Sequence, residues 1–115
     1  MRKLVAGLAL AAALTAGPAM ADTMQSSIGN TVVVTYANGS AVRYHFNADN
    51  TFTLIMPDGT ATQGAYEVVG DQICFTPAGA ERTCTAYVGD KNVGDTWTQT
   101  ATDGSTVTVS IEAGR

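Results

Sequence analysis

Apolar and polar residues alternate along much of the chain. In the clearest segment, Val42, Tyr44 and Phe46 alternate with Arg43 and His45. Successive side chains of a β-strand point to opposite faces, so this period of two predicts a strand with one apolar and one polar face. The pattern returns in about eight short segments, most of them near six residues long.

Turn-forming residues separate these segments at intervals of about 8–12 residues. They are Asn38-Gly39, Asn47–Asn50, Pro57–Gly59, Gly70-Asp71, Pro77–Gly79 and Asp103-Gly104. Asn-Gly between two alternating segments is a strong hairpin signal, because both residues tolerate positive φ. No segment after residue 21 has an apolar period of 3.6, and no connection has the dozen or so residues that a parallel crossover needs. We therefore predict an all-β domain, an antiparallel meander of about eight short strands without a helix.

A meander of this length either closes into a barrel or folds over as a β-sandwich. Closure removes the exposed strand edges, so we predict a small closed barrel, with the sandwich as the alternative. The larger apolar side chains are expected to fill the barrel interior. They are Tyr36, Tyr44, Phe46, Phe52, Leu54, Met56, Tyr66, Phe75 and Trp97. The strands are shorter than the roughly 9–11 residues of a membrane-spanning strand, so we expect no membrane insertion.

The first 21 residues have the features of a secretory signal peptide. Arg2 and Lys3 give a positive start, the apolar run LVAGLALAAALTAG follows, and Ala19-Met20-Ala21 supplies the small residues of a cleavage site. We expect cleavage after Ala21 and export to the periplasm or out of the cell.

Removal of the signal peptide (residues 1–21) leaves one small domain. Residues 31–115 carry the strand pattern and form a single β domain, whereas residues 22–30, DTMQSSIGN, lack it and are predicted to be a flexible N-terminal tail. The processed chain has four basic and ten acidic side chains, a net charge of −6. A surface this acidic repels nucleic-acid phosphates, so we expect no nucleic-acid partner.

Two cysteines lie symmetrically about a predicted turn. Cys74 and Cys84 are equidistant from Gly79, so a regular hairpin sets them directly opposite each other, close enough for a disulfide. An oxidising compartment preserves such a bond, and the loop closure is worth roughly 2.5–3 kcal/mol. A redox pair favours Cys-x-x-Cys spacing, and zinc needs two further ligands, so we predict a structural disulfide. Cys84, Ala86 and Val88 are expected to be the inward apolar positions of their strand.

No constellation of residues indicates catalysis or a cofactor. His45 is the only histidine and is expected on the outer face, with Asp49 four residues later. No activated nucleophile accompanies them, and most aspartates adjoin Gly or Asn, where they serve turns. No calcium-loop spacing occurs. We therefore predict no catalytic, metal-binding or cofactor-binding residue and a non-enzymatic protein, with a hydrolase using His45 as a remote alternative.

Two features suggest binding functions. The segments TWTQT (96–100) and TVTVS (106–110) place hydroxyl groups on one face of adjacent strands. Such arrays bind repeating surfaces such as ice or polysaccharide, although a solvated strand face is the ordinary explanation. The predicted tail at 22–30 raises the alternative of a protease inhibitor that inserts its N-terminal residues into the protease cleft.

Two motifs resemble known proteins over about residues 40–88. F-x-x-D-x-T at 46–51 and the run G-x-Y-x-V-x-G-D-x-I at 64–73 are similar to the strand and turn pattern of lipocalin-like (calycin-type) barrels. Small bacterial periplasmic proteins with a G-x-Y-x-V-x-G-D-x-I-C run before a second cysteine also resemble this chain. The resemblance implies a small barrel, but Trp97 does not occupy the opening Gly-x-Trp motif of lipocalins, so no ligand-binding residues are transferred.

These observations together predict an exported β-barrel that acts as a binding or interaction module. The expected partner is an unidentified protein or small molecule. No cofactor is expected.

Overall fold

The computed structural model describes residues 22–115, which form one short helix and eight strands. The helix α1 spans Thr23–Ser27. The strands are β1 (Thr31–Thr35), β2 (Ala41–Phe46), β3 (Thr51–Ile55), β4 (Ala61–Val69), β5 (Gln72–Pro77), β6 (Thr83–Ala86), β7 (Thr96–Thr100) and β8 (Thr106–Glu112). The predicted signal peptide at 1–21 lies outside the described residues.

The eight strands form a single antiparallel sheet that curls into a nearly closed barrel. Their order is β6-β5-β4-β3-β2-β1-β8-β7, so the first and last strands of the chain, β1 and β8, pair with each other. The prediction of an antiparallel eight-stranded meander that forms a barrel is confirmed. Within residues 22–115, no helix has the length and apolar character that a membrane crossing requires.

The barrel is not fully closed as predicted, because a seam separates β6 from β7. These strands are the two edges of the sheet, and no ladder of main-chain hydrogen bonds joins them in the described part of the chain. The segment 87–95 that connects them leaves the sheet and binds α1: the Thr23 hydroxyl donates to the Val88 carbonyl and accepts from the Lys91 amide. The chain between β6 and β7 is therefore held by the helix, and the sheet stays open there.

The apolar face of the sheet points into the barrel, as its period predicts. Val32 of β1 faces Tyr44 of β2, which faces Leu54 of β3, so the inward positions of successive strands meet. The buried core consists of Val32, Phe46, Phe52, Tyr66, Ile73, Val107, Val109 and Ile111. Burial of these side chains supplies the main favourable free energy of folding.

Three predicted interior positions were wrong: Met56, Cys84 and Ala86. Met56 follows β3 in a tight turn and is 39% exposed. On β6, the register sets Thr83 against Phe75 and Thr85 against Ile73, so the threonines share the inward face. Cys84 and Ala86 lie at the alternate, outward positions, because Cys84 must share a face with its disulfide partner.

Residues 22–30 also differ from the predicted flexible tail. Asp22 caps α1 by accepting a hydrogen bond from the Met24 amide at 3.0 Å, and Thr23 and Ser27 are buried. A helix of five residues is too short to display a 3.6-residue apolar period in the sequence. Its stability comes from tertiary contacts with the 87–91 segment, which the sequence pattern does not reveal.

Arg115 connects the residues that follow α1 to the end of β2. Its guanidinium donates to the Asn30 carbonyl at 3.0 Å, to Asn47 Oδ1 at 2.9 Å and to the Phe46 carbonyl. These acceptors lie after α1 and at the end of β2. The arginine thus joins the helix, the barrel wall and the last residues of the chain.

Candidate functional site: a cavity inside the barrel

The barrel contains a cavity of about 300 Å³ that is partly open to solvent. Aromatic rings dominate its lining, among them Tyr36, Tyr44, Phe46, Phe52, Phe75 and Trp97. The sequence analysis expected large side chains to fill the interior. They do not fill it completely, because small side chains occupy facing positions: Thr83 and Thr85 on β6 and Ala101 after β7.

One wall of the cavity is a cluster of four rings. The ring of Tyr44 lies 5.5 Å from that of Phe46 and nearly parallel to it, and 5.3 Å from that of Phe75. Phe75 in turn meets Phe52 edge to face at 5.3 Å. These distances are typical of attractive aromatic pairs, so the wall is rigid and presents flat apolar surface.

Two tyrosine hydroxyls on the cavity lining have no hydrogen-bond partner in the described protein. They belong to Tyr36 and Tyr44. In contrast, the Tyr66 hydroxyl donates to the Asn47 carbonyl at 2.9 Å, and the Tyr87 hydroxyl donates to Asp22 Oδ1 at 3.1 Å. Burial, with a smaller contribution from Tyr36, raises the pKa of Tyr44 to about 12. The Tyr44 hydroxyl therefore stays protonated at neutral pH.

The wall opposite the ring cluster is formed by β7. Trp97 Nε1 donates to Gln99 Oε1 at 2.8 Å, and Gln99 Nε2 donates to the Ala86 carbonyl at 3.1 Å. The Lys91 ammonium lies 5.5 Å from the centre of the Trp97 ring. Gln99 therefore connects the tryptophan to β6 across the seam.

The cavity lies beside the seam. Every residue from 83 to 88, in β6 and directly after it, borders the cavity. At the helix end, Thr23, Met24 and Ser27 of α1 line the floor. The cavity is thus closed below by the helix and bounded laterally by the Gln99 bridge.

The two cysteines form the predicted disulfide. Cys74 and Cys84 are paired directly across β5 and β6, with their Cα atoms 4.0 Å apart. The bond lies on the outer face of the barrel, and Cys74 is only 2% exposed. An ion pair between Arg82 and Glu67, at 3.0 Å, joins the strands on either side of Cys74. The disulfide fixes β6, the shortest strand, beside the seam.

His45 does not line the cavity. It lies on the outer face of β2, opposite Thr53. Partial burial and the charges of Arg115 and Arg43 lower its pKa. The Asp49 carboxylate accepts from the Thr51 amide at 3.2 Å and from the Thr51 hydroxyl at 2.5 Å, which is turn chemistry.

The hydroxyl array of the C-terminal hairpin is present in the structure. Thr98 faces Thr108, Thr100 faces Thr106, and Thr96 faces Ser110. These pairs lie on the outer face, where cross-strand hydroxyl pairs are a common way to stabilise a solvated sheet. Among residues 22–115, no three His, Cys, Asp or Glu side chains are placed to share a metal ion.

Gln99 is the site residue that the sequence analysis missed, whereas Tyr36 and Tyr44 were expected in the interior and lie on the cavity lining. A signal for Gln99 was available, since it occupies the inward phase of β7 between Trp97 and Ala101. The lack of a partner at Tyr36 and Tyr44 has no sequence signal, because it depends on which side chains face them across the barrel.

Comparisons with known proteins identify no relative of this chain. No protein-family model, curated protein or solved structure matches the chain. The function must therefore be argued from the barrel and its cavity.

Proposed function

We propose that the protein is an exported, non-enzymatic binding protein that holds a small, largely apolar molecule in the barrel cavity. The observation that carries this proposal is the cavity of about 300 Å³ with its aromatic lining. Domain interiors are normally packed to crystal-like density, and empty space costs free energy, so a cavity of this size favours a binding role. Small-molecule sites are usually concave, mostly apolar and preformed, as this one is.

The size of the cavity limits the ligand. An apolar cavity of about 150 Å³ accommodates benzene, so a space twice as large accommodates roughly twelve non-hydrogen atoms. Aromatic or alicyclic molecules of two fused rings have this size. Their flat faces match the rings of Tyr44 and Phe75.

Export is part of the proposal, and two features support it. The N-terminal 21 residues have the charge, apolar run and small residues of a signal peptide. The Cys74–Cys84 disulfide indicates an oxidising environment. A periplasmic or secreted location accounts for both observations.

The two alternative functions have less support. A tail-mediated protease inhibitor needs free N-terminal residues, whereas Thr23 and Ser27 are buried against the barrel. A hydrolase needs a base beside a nucleophile, whereas His45 lies on the outer face near two arginines. Neither alternative has an observation in its favour.

The test of the proposal is a titration with naphthalene, an apolar probe of two fused rings, followed through the fluorescence of Trp97, the only tryptophan. We expect saturable binding. Ala101→Phe fills the cavity and should weaken binding at least tenfold, whereas Ala65→Phe, on the exposed outer face, should leave binding unchanged. Absence of saturable binding, or equal effects of the two variants, would overturn the proposal.

A further inference from the structure

We infer that the cavity selects neutral ligands that carry one hydrogen-bond acceptor on an apolar body, and that the Tyr44 hydroxyl donates to this acceptor. The inference rests on the proposed binding function and names the chemical class of its ligand: ketones, aldehydes, esters or lactones of two-ring size.

The first step is the position of Tyr44. It lies in the middle of β2, at an inward position between Val32 of β1 and Leu54 of β3. Its ring is fixed by aromatic neighbours at 5.3–6.1 Å, so the hydroxyl has a defined place in the cavity. A donor held in this way is preorganised, and a ligand that meets it loses little conformational entropy.

The second step is the missing partner. Tyr36 and Tyr44 are partly buried, and a tyrosine hydroxyl that is withdrawn from bulk water normally has a hydrogen-bond partner. For Tyr44 no atom of residues 22–115 supplies one, and the same is true of Tyr36, which lines the same cavity. The partner must therefore come from water or from a ligand, and a ligand acceptor replaces water without leaving the hydroxyl unpaired.

The third step is the charge of the ligand. The hydroxyl of Tyr44 is protonated at neutral pH, as it is in an ordinary tyrosine with a pKa of 10.0, and burial raises the pKa of Tyr44 further, to about 12. It is therefore a donor for an acceptor atom. Among the described residues that line the cavity, none is Lys, Arg, His, Asp or Glu. A buried carboxylate or ammonium group would have no opposite charge, which makes a charged ligand costly to bind.

The fourth step concerns the other polar side chains of the lining, first of all Gln99. Both ends of the Gln99 amide are already bonded, one to Trp97 and the other to Ala86. A ligand gains no hydrogen bond from Gln99 unless it breaks one of these. The hydroxyls of Thr23, Ser27 and Thr85 also donate to main-chain carbonyls. The Tyr87 hydroxyl donates to Asp22, and Thr83 and Thr102 are exposed. Tyr36 and Tyr44 are therefore the lining residues that offer a sheltered hydroxyl without a protein partner.

The test uses three probes of similar shape: 2-acetylnaphthalene, which carries a neutral carbonyl; 2-isopropenylnaphthalene, in which a methylene group replaces the oxygen; and 2-naphthoate, which is anionic at pH 7.5. We expect the ketone to bind about 3–10-fold more tightly than the hydrocarbon, the range of one net hydrogen bond. The naphthoate should bind at least about tenfold more weakly than the ketone.

The variants assign the preference to one residue. Tyr44→Phe should remove the preference for the ketone and leave the hydrocarbon dissociation constant within about twofold, which also shows that the variant is folded. Tyr66→Phe, which removes a hydroxyl bonded to Asn47 outside the cavity, should retain the preference.

The outcomes separate the two proposals. If no probe binds, the proposed function fails. If ketone and hydrocarbon bind equally, or if the naphthoate binds most tightly, the cavity remains a binding site and the inference about its ligand is wrong. Loss of the preference in Tyr36→Phe but not in Tyr44→Phe would overturn the assignment to Tyr44.

Discussion

Gln99 donates a hydrogen bond from its side-chain amide to the carbonyl oxygen of Ala86, 3.1 Å away on the opposite edge of the sheet. The other end of the same amide accepts from Trp97 at 2.8 Å. The Gln99 side chain therefore links β6 to β7 across the seam. Between the other neighbouring strands this link is made by a ladder of main-chain hydrogen bonds. The barrel is closed by β1 and β8 on one side and bridged by Gln99 on the other.

The first prediction tests this bridge. Gln99→Leu leaves the Ala86 carbonyl and the Trp97 indole without their partner, and we expect a loss of about 1–2 kcal/mol in the free energy of unfolding. Urea unfolding followed by Trp97 fluorescence measures it. Gln63→Leu changes an exposed glutamine on the outer face of β4 and should alter stability by less than about 0.5 kcal/mol. Equal effects of the two variants would contradict the role of the bridge.

The second prediction concerns the disulfide. Replacing both Cys74 and Cys84 by alanine removes a closed loop with a sequence separation of 10. The chain-entropy estimate is a loss of roughly 2.5–3 kcal/mol in the free energy of unfolding. Hydrogen exchange should also become faster in β6, because this strand is short and pairs with β5 alone. Wild-type protein treated with reductant should behave like the double variant, and a loss below about 1 kcal/mol would contradict the prediction.

The third prediction concerns Gly64, an inward position of β4 beneath the ring of Phe52. A Cβ atom there would approach the Thr76 carbonyl oxygen, lie 2.7 Å from the Pro77 Cα and 2.9 Å from Phe52 Cε1. Main-chain atoms of β5 have no room to move, so Gly64→Ala should cost about 3 kcal/mol or more, or prevent folding.

Gly89→Ala is the matched control for this variant. Its nearest contact is the Tyr87 Cε2 atom at 3.3 Å, at the far end of a side chain that is able to shift. We expect a change within about 1 kcal/mol, measured by thermal unfolding. A similar cost at both glycines would contradict the packing explanation.

The fourth prediction compares two tyrosines at neutral pH. Tyr66→Phe removes a hydroxyl that donates to the Asn47 carbonyl at 2.9 Å and should cost about 1 kcal/mol. Tyr44→Phe removes a partly buried hydroxyl without a protein partner, so the free energy of unfolding of the ligand-free protein should be unchanged or up to about 1 kcal/mol higher. Chemical denaturation of both variants tests this difference. A larger loss in Tyr44→Phe than in Tyr66→Phe would show that the Tyr44 hydroxyl is bonded in the native state.

The fifth prediction is a loss of stability at alkaline pH. The pKa of Tyr44 is about 12 in the native protein, against 10.0 for an unperturbed tyrosine. Between these values the unfolded chain releases the proton and the native protein keeps it, which favours unfolding. Tyr44 therefore makes its full contribution to the free energy of unfolding below pH 10. This contribution declines as the pH rises towards 12, by about 2–3 kcal/mol in total.

Thermal unfolding at pH 9 and pH 11.5 measures this decline, with Tyr44→Phe as the comparison. The variant should lose less stability than the wild type over the same interval. A smaller decline should remain, because burial also raises the pKa values of Tyr66 and Tyr87. An identical decline in the wild type and in Tyr44→Phe would contradict the prediction.

The position of Met56 shows where reasoning from periodicity ends. By alternation, Met56 should point inward like Phe52 and Leu54. However, the strand ends at Ile55 and Met56 lies in the turn that follows. The orientation of β6 shows the same limit, since alternation alone does not say which of its two faces points inward. The inward positions of that strand are threonines, and the disulfide to Cys74 decides its orientation.

The sequence by itself determined the number of strands, their antiparallel order and the facing cysteines. These properties are local: side-chain alternation follows from the geometry of an extended chain, and each turn is encoded by a few adjacent residues. A hairpin symmetric about Gly79 sets Cys74 opposite Cys84 whatever the rest of the chain does.

The tertiary structure alone decided where the barrel opens, that residues 23–27 are helical and that a cavity remains. Each of these depends on contacts between residues far apart in the chain, such as Thr23 with Val88 and Gln99 with Ala86. The free volume inside the barrel is set by the side chains that all eight strands contribute together. No local sequence pattern predicts this volume, because it depends on the sizes and positions of side chains from all eight strands at once.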